Sequence, residues 1–336
     1  MGYVVEKLSN ILTVTIGFGL LVAGCASAPN LGNFGSSDTA IAGGGANNNP
    51  NDPNSNASGG GTVGSGTVTR EFDEPPPQTP VCNPFSDGNP SDRTTGLKGT
   101  LSYLDPATVT QPSQMKVMDF WNVSPAGNLI PKNSLPVVLF STELDVPTRA
   151  FTEGFFVAGD DLHPLLVPNT TTVLMEWFSV HFQSTLKLGN AAPGKYAFAI
   201  LSDDGSVMKV DRKDGNGMTA LINNDGVHAE RLGCAAPTNL VTLDATHPSV
   251  DIDVNYFQGP RYHIALVLIW KKIDPNAPLG ASIDPACGSG NVNYFFDSTV
   301  NPPTAKQPWN DLLSRGWEVV PSDNFQLQRG QTNPCN

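Results

Sequence analysis

Two adjacent carboxylates, Asp203-Asp204, end an alternating apolar run and are followed by Gly205-Ser206. Neighbouring carboxylates repel each other, and a divalent cation shared between them removes that repulsion. In a trans extended strand successive side chains leave on opposite faces, so both would reach one ion only through a cis peptide or a sharp kink. Calcium takes roughly six to eight oxygens, carbonyls and water included, which leaves positions open for a ligand diol. The same four residues also read as a type I′ hairpin turn between a strand ending at Ile200 and one starting at Val207. Asp160-Asp161 with His163 form a second acidic group, read as a solvated loop. Asn223-Asn224-Asp225-Gly226 lacks the regular acidic positions and closing Glu of a calcium loop. The five histidines show no His-Glu-x-x-His spacing, and no Gly-x-Ser-x-Gly elbow is present, so an enzyme is not expected.

Cys25 is a different kind of reactive residue. Ile11 to Val22 is an apolar run too short to span a membrane as a mature helix, and it ends in Leu21-Val22-Ala23-Gly24-Cys25. That ending resembles the lipobox of bacterial lipoproteins, which implies a signal peptide over residues 1–24 and a lipid-bearing thiol at Cys25. Acyl chains such as palmitate, at roughly 0.8 kcal/mol per buried CH₂, would make attachment effectively permanent. Ala26 rather than Asp follows the cysteine, which points to the outer membrane of a bacterial cell envelope. The remaining cysteines, Cys82, Cys234, Cys287 and Cys335, are even in number in an exported chain and read as two disulfides with three possible pairings. Cys82 and Cys335 bracket the folded region, which favours a clasp between them and leaves Cys234 with Cys287.

Residues 25–80 are Gly, Asn, Ser, Pro and Thr with almost no large apolar side chain, too little surface to offset chain entropy. This stretch reads as a disordered tether with a mean span of about 40 Å. From residue 81 the pattern changes. Phe178, Val180 and Phe182 alternate with polar neighbours, as do Tyr196, Phe198 and Ile200, and then Val250, Ile252, Val254 and Tyr256. Ile264 to Trp270 is continuously apolar, the mark of a strand covered on both faces. Such runs, separated by Gly, Pro, Asn and Asp clusters, predict an all-β, antiparallel β-sandwich over residues 81–336. A short C-terminal helix is expected over Trp309–Ser314, opened by Pro308 and ended near Gly316. The net charge of −12 excludes nucleic acid as a partner, because phosphate binding needs a basic footprint.

Gly194-Lys195-Tyr196-Ala197-Phe198, Ser202-Asp203-Asp204-Gly205-Ser206, Leu221 to His228, Asn255 to Arg261 and Ile264 to Trp270 occur in an order and spacing that resemble the N-terminal domain family of anthrax protective antigen. That sandwich also occurs in fungal flocculins, epithelial adhesins and bacterial adhesins, and inserted in some β-glucosidases. The resemblance covers about 96–272, and the region after Ile273 has no counterpart in it. It implies calcium held by Asp203 and Asp204 across a cis peptide, with neighbouring sugar hydroxyls completing the ion's shell. A second loop maps by position onto Gln258, Pro260 and Tyr262, where the family's Asn is replaced by Gln258. Gln258-Gly259-Pro260 equally reads as a plain turn. Arg261 and Tyr262 would flank the ligand, one donating to hydroxyls and one offering a ring face. The expectation is a surface-tethered, calcium-dependent, adhesin-like lipoprotein that binds a glycan or cell-surface polysaccharide. The alternative is a structural envelope protein whose sandwich docks a protein partner without calcium.

Overall fold

In a computed structural model of the chain, residues 78–84, 94–157, 163–260, 263–278, 280 and 282–335 are described. Cys25, nearly all of the tether, Asp160, Asp161, Arg261 and Tyr262 lie outside them.

The apolar run Ile264–Trp270 forms the middle of an eleven-residue strand, His263–Ile273, and is buried throughout. The strands that build the main sheets are, in chain order, β1 (Thr79–Cys82), β2 (Leu97–Tyr103), β3 (Val137–Ser141), β4 (Asp145–Ala150), β5 (Phe178–Lys187), β6 (Gly194–Asp203) and β7 (Ser206–Asp211). They continue with β8 (Met218–Asn224), β9 (Arg231–Cys234), β10 (Val241–Leu243), β11 (Ser249–Gln258), β12 (His263–Ile273), β13 (Glu318–Val319) and β14 (Phe325–Gln326). One sheet of eight strands runs β1-β3-β2-β5-β11-β7-β8, with β14 also on β5. The other, of six, runs β9-β6-β12-β13, with β10 on β6 and β4 on β12. Pairing is antiparallel except that β1 runs parallel to β3, so the fold is the expected sandwich with one parallel edge.

Alternation decides which side chains meet between the sheets. Tyr196, Phe198 and Ile200 of β6 and Ile264, Leu266, Leu268 and Trp270 of β12 face inward, against Phe178, Val180, Phe182, Val254 and Tyr256. Tyr196 stacks on Trp270 with ring centroids 4.5 Å apart. The opposite residues of the same strands, Ala197, Ala199, Leu201, Val267 and Ile269, are apolar too, because a third layer covers them. That layer comes from the chain after Ile273, which contributes Phe295, Phe296, Trp309, Leu312 and Trp317. Helix α1 (Gln307–Ser314) presents Trp309 and Leu312, with Pro308 in its first turn and Gly316 at φ +87° just past its end. Asp284 locks the layer, accepting two hydrogen bonds of 2.7 Å from Arg315 and one of 2.9 Å from the Trp317 indole.

Both disulfides join the cysteines the bracketing argument favours, Cys82 to Cys335 and Cys234 to Cys287. The second ties edge strand β9 to the third layer, and Leu232 of β9 trades main-chain hydrogen bonds with Gly288 and Ser289 beside it. Closing a loop of 53 residues removes unfolded-state entropy worth about 2–5 kcal/mol. Replacing Cys234 and Cys287 together by serine should lower stability by that amount, read as an earlier urea midpoint. An unchanged midpoint would mean that layer packing alone holds the extension.

Candidate metal and ligand site

Strand β6 ends at Asp203, and the chain passes to the other sheet through Asp204 and Gly205 before β7 begins at Ser206. Since β6 and β7 belong to different sheets, the hairpin reading of Asp203-Asp204-Gly205-Ser206 does not hold. The local turn chemistry is the same in both cases, and the difference lies in which distant strands each side pairs with. The Asp203–Asp204 peptide is cis.

Three segments converge on the pair. Asp204 is 3 % exposed, with Oδ1 accepting from the His228 N–H at 2.8 Å and Oδ2 from the Gly259 N–H at 2.7 Å. The main-chain N–H of Glu230 donates to the Asp203 carboxylate. The Tyr256 hydroxyl lies against both the Asp203 carbonyl and Gln258 Oε1. Thus the β6–β7 corner, the loop before β9 and the end of β11 meet at two adjacent acids. Neither acid has a cationic partner among the described residues.

Glycine is required where these segments touch. A Cβ on Gly259 would stand 2.7 Å from Asp204 Oδ2, and one on Gly205 would stand 2.4 Å from the Phe257 ring. Gly259→Ala should therefore displace the Asp204 carboxylate. If Asp204 ligates a divalent ion, the variant should lose about tenfold or more in affinity for it, measured by calorimetric titration, with the fold retained.

Burial is the largest influence on both acids. It pushes Asp203 up to about 8, reinforced by the charges of Asp204 and Glu230 and opposed by the Glu230 N–H. It pushes Asp204 up to about 6, against the N–H groups of His228 and Gly259. A divalent ion would reverse this penalty by supplying the missing positive charge. The donor set fits such an ion. Each Asp204 oxygen accepts one hydrogen bond in the structure and keeps a further lone pair. Among the described residues no third His, Cys, Asp or Glu joins the pair in a metal-binding cluster, so amide and carbonyl oxygens and water would complete the shell. An all-oxygen set of that kind suits calcium rather than zinc.

Of the residues expected from the sequence, Asp203, Asp204 and Gln258 are brought together, the last through the Tyr256 hydroxyl. The Gln258 main-chain carbonyl accepts from Trp177 N–H at 2.9 Å, and Pro260 follows the Gly259 that contacts Asp204. His163 is exposed on a two-residue strand. Asn224 is a structural corner: its side chain contacts Ser202, Arg231 Nε and the Arg231 carbonyl. Sequence reasoning missed Glu230. This residue is fully buried, accepts from the Thr148 hydroxyl and from Phe295 N–H at 2.6 Å, and is approached by the N–H groups of Tyr294 and Phe296. It joins the third layer to Asp203, and a lone Glu between Ala229 and Arg231 carries no local signal of that role.

Fold and site together define a three-layered, all-β sandwich domain with a buried acid pair at one edge. No family model matches the sequence, and no curated protein matches it. Among solved structures, an anti-sigma factor domain-containing protein from Clostridium clariflavum is similar at 13 % identity and TM-score 0.35, over 73 % of this chain and 51 % of that one. This chain thus spans about half of that protein's length. The PA14 domain of the antifreeze protein MpAFP is similar at 14 % identity and TM-score 0.34, over 57 % of this chain and 89 % of that one. The epithelial adhesin 6 A domain from Candida glabrata, in complex with Galβ1-3GlcNAc, is similar at 15 % identity and TM-score 0.34, over 76 % and 96 %.

Proposed function

We propose that this protein is a calcium-dependent, adhesin-like carbohydrate-binding lipoprotein, held to the bacterial outer membrane through lipid on Cys25. The observation that carries the reading is the buried Asp203-Asp204 pair, two adjacent carboxyls whose ionisation burial opposes and which have no cation beside them among the described residues. Calcium neutralises the pair and offers its remaining positions to vicinal hydroxyls of a sugar. Asp203 and Asp204 hold the ion, with Gln258 Oε1 beside them. Arg261 and Tyr262, next along the chain from Pro260, flank the sugar. Each site binds weakly, because an ion and a few hydroxyls bury little apolar surface, and many tethered copies supply avidity.

The test is a glycan array probed with the folded protein in calcium and again in chelator. Retention that depends on calcium supports the reading. A protein partner captured equally well in chelator, with no glycan retained, would replace it with the structural envelope role.

A further inference from the structure

On the outer face of the eight-stranded sheet, Met115, Val117, Phe120 and Trp121 pack over Phe257, and the Trp121 indole donates to Ser179 Oγ at 2.9 Å. Two residues further along β5 is His181, which meets the Trp121 ring edge-on with centroids 6.0 Å apart. The pairing of β5 with β11 sets His181 directly opposite Asn255, and alternation makes Asp253 the next residue of β11 on the same face. The three side chains therefore gather at the margin of this cover.

Two of them are buried with polar atoms left over. Asn255 is 3 % exposed, and its Oδ1 has no hydrogen-bond partner. His181 is 8 % exposed, and its Nε2 stands 3.2 Å from Asp253 Oδ2 without forming a hydrogen bond. Buried polar atoms are nearly all paired, so an acceptor left over points to water or an ion as its partner. Ligands about 2.1 Å from a zinc-like ion, at angles of about 100–110°, lie about 3.2–3.4 Å from each other. The His181–Asp253 separation matches that spacing. No third His, Cys, Asp or Glu joins them among the described residues, which leaves the Asn255 oxygen as the third donor. One imidazole with two oxygens suits a first-row divalent ion better than calcium, which takes oxygens alone. Lys209, opposite Asp253 on β7, forms no ion pair with it.

We propose that His181 Nε2, Asp253 Oδ2 and Asn255 Oδ1 bind one zinc-class divalent ion, with water in a fourth position. The His181 and Asp253 side chains are 10 % and 16 % exposed, so that position reaches solvent. The ion ties β5 to β11 beside the Trp121 cover and is independent of the acid pair. The test is a calorimetric titration of zinc chloride into the folded protein in excess calcium. Wild type should bind one equivalent, and His181→Gln and Asp253→Asn should each weaken that binding about tenfold or more. Asn255→Leu should weaken it too, and in chelator this variant should melt no lower than wild type, because the orphaned oxygen is gone. The Asp203→Asn, Asp204→Asn double variant should keep the wild-type zinc affinity. His247→Ala should keep it as well, although His247 with Asp244 forms the competing exposed pair. Equal zinc binding by the first three variants, loss of it in either of the last two, or no binding by wild type would remove the site and leave water as the partner of Asn255.

Discussion

Calcium at a hundredfold its dissociation constant should raise the melting temperature of the wild-type protein by about 5–10 °C, and the Asp203→Asn, Asp204→Asn double variant should show no rise. A ligand that binds only the native state contributes about 2.7 kcal/mol at that excess, and a domain of this size gains about 2–4 °C per kcal/mol. The expected pH dependence follows from the direction of the shifts. Unfolded, both acids ionise near 3.8, whereas folded they ionise at about 8 and about 6. In chelator the native state therefore holds more protons than the unfolded state between about pH 4 and pH 8, and stability falls as pH rises through that window. Calcium bound at the pair would displace those protons, so its stabilising effect should grow from pH 5 to pH 8. In chelator at pH 8 the double variant, which no longer buries two adjacent carboxylates beside Glu230, should melt above wild type. A calcium effect of equal size at pH 5 and pH 8, or one that survives in the double variant, would place the ion elsewhere.

Glu230→Ala should be the most damaging single change outside the sheets, at about 3–5 kcal/mol in a denaturant titration. The carboxylate has no exposed surface and takes hydrogen bonds from the Thr148 hydroxyl and the Phe295 N–H, with Tyr294 and Phe296 N–H also directed at it. Burial pushes its carboxyl upward, and those donors hold it down. Truncation would leave several buried donors unpaired, each worth about 1–3 kcal/mol. Because the three main-chain donors, Tyr294, Phe295 and Phe296, lie on the third layer, limited proteolysis of the variant should cut first between residues 291 and 301. A variant as stable and as protease-resistant as wild type would show that the layer is held by Phe295, Trp309 and Trp317 alone.

How much of this was legible in the sequence depends on the range of the cause. Period-two alternation is local, so Phe178–Phe182, Tyr196–Ile200 and Val250–Tyr256 announced their strands, and Pro308 with Gly316 bounded the helix. The unbroken run Ile264–Trp270 signalled a strand buried on both faces, but not what covers the second face. Phe295, Trp309 and Trp317 are spaced without period, and only the folded chain brings them onto Ala197, Ala199 and Leu201. Asp204-Gly205 carries the same signal for a hairpin as for a crossing between sheets, so register with β11 and β12 had to decide it. Of the candidate site, the aspartates stood out because like charges in sequence are conspicuous. Glu230 did not, because its partners lie 82 and 65 residues away.

The Cys82–Cys335 bridge also sets how the domain would respond to tension. The bond joins the last residue of β1 to Cys335, so the sheets formed between them lie inside one covalent ring. A pull applied across Cys82 and Cys335 would run through sulfur rather than through the strands between them. A pull between Thr79 and the acid corner would cross the strands, and only Thr79 to Val81 could be peeled away before that covalent ring was reached. Reduction would change the load path. The four-residue strand β1, hydrogen-bonded to β3, would then be the first element to give way.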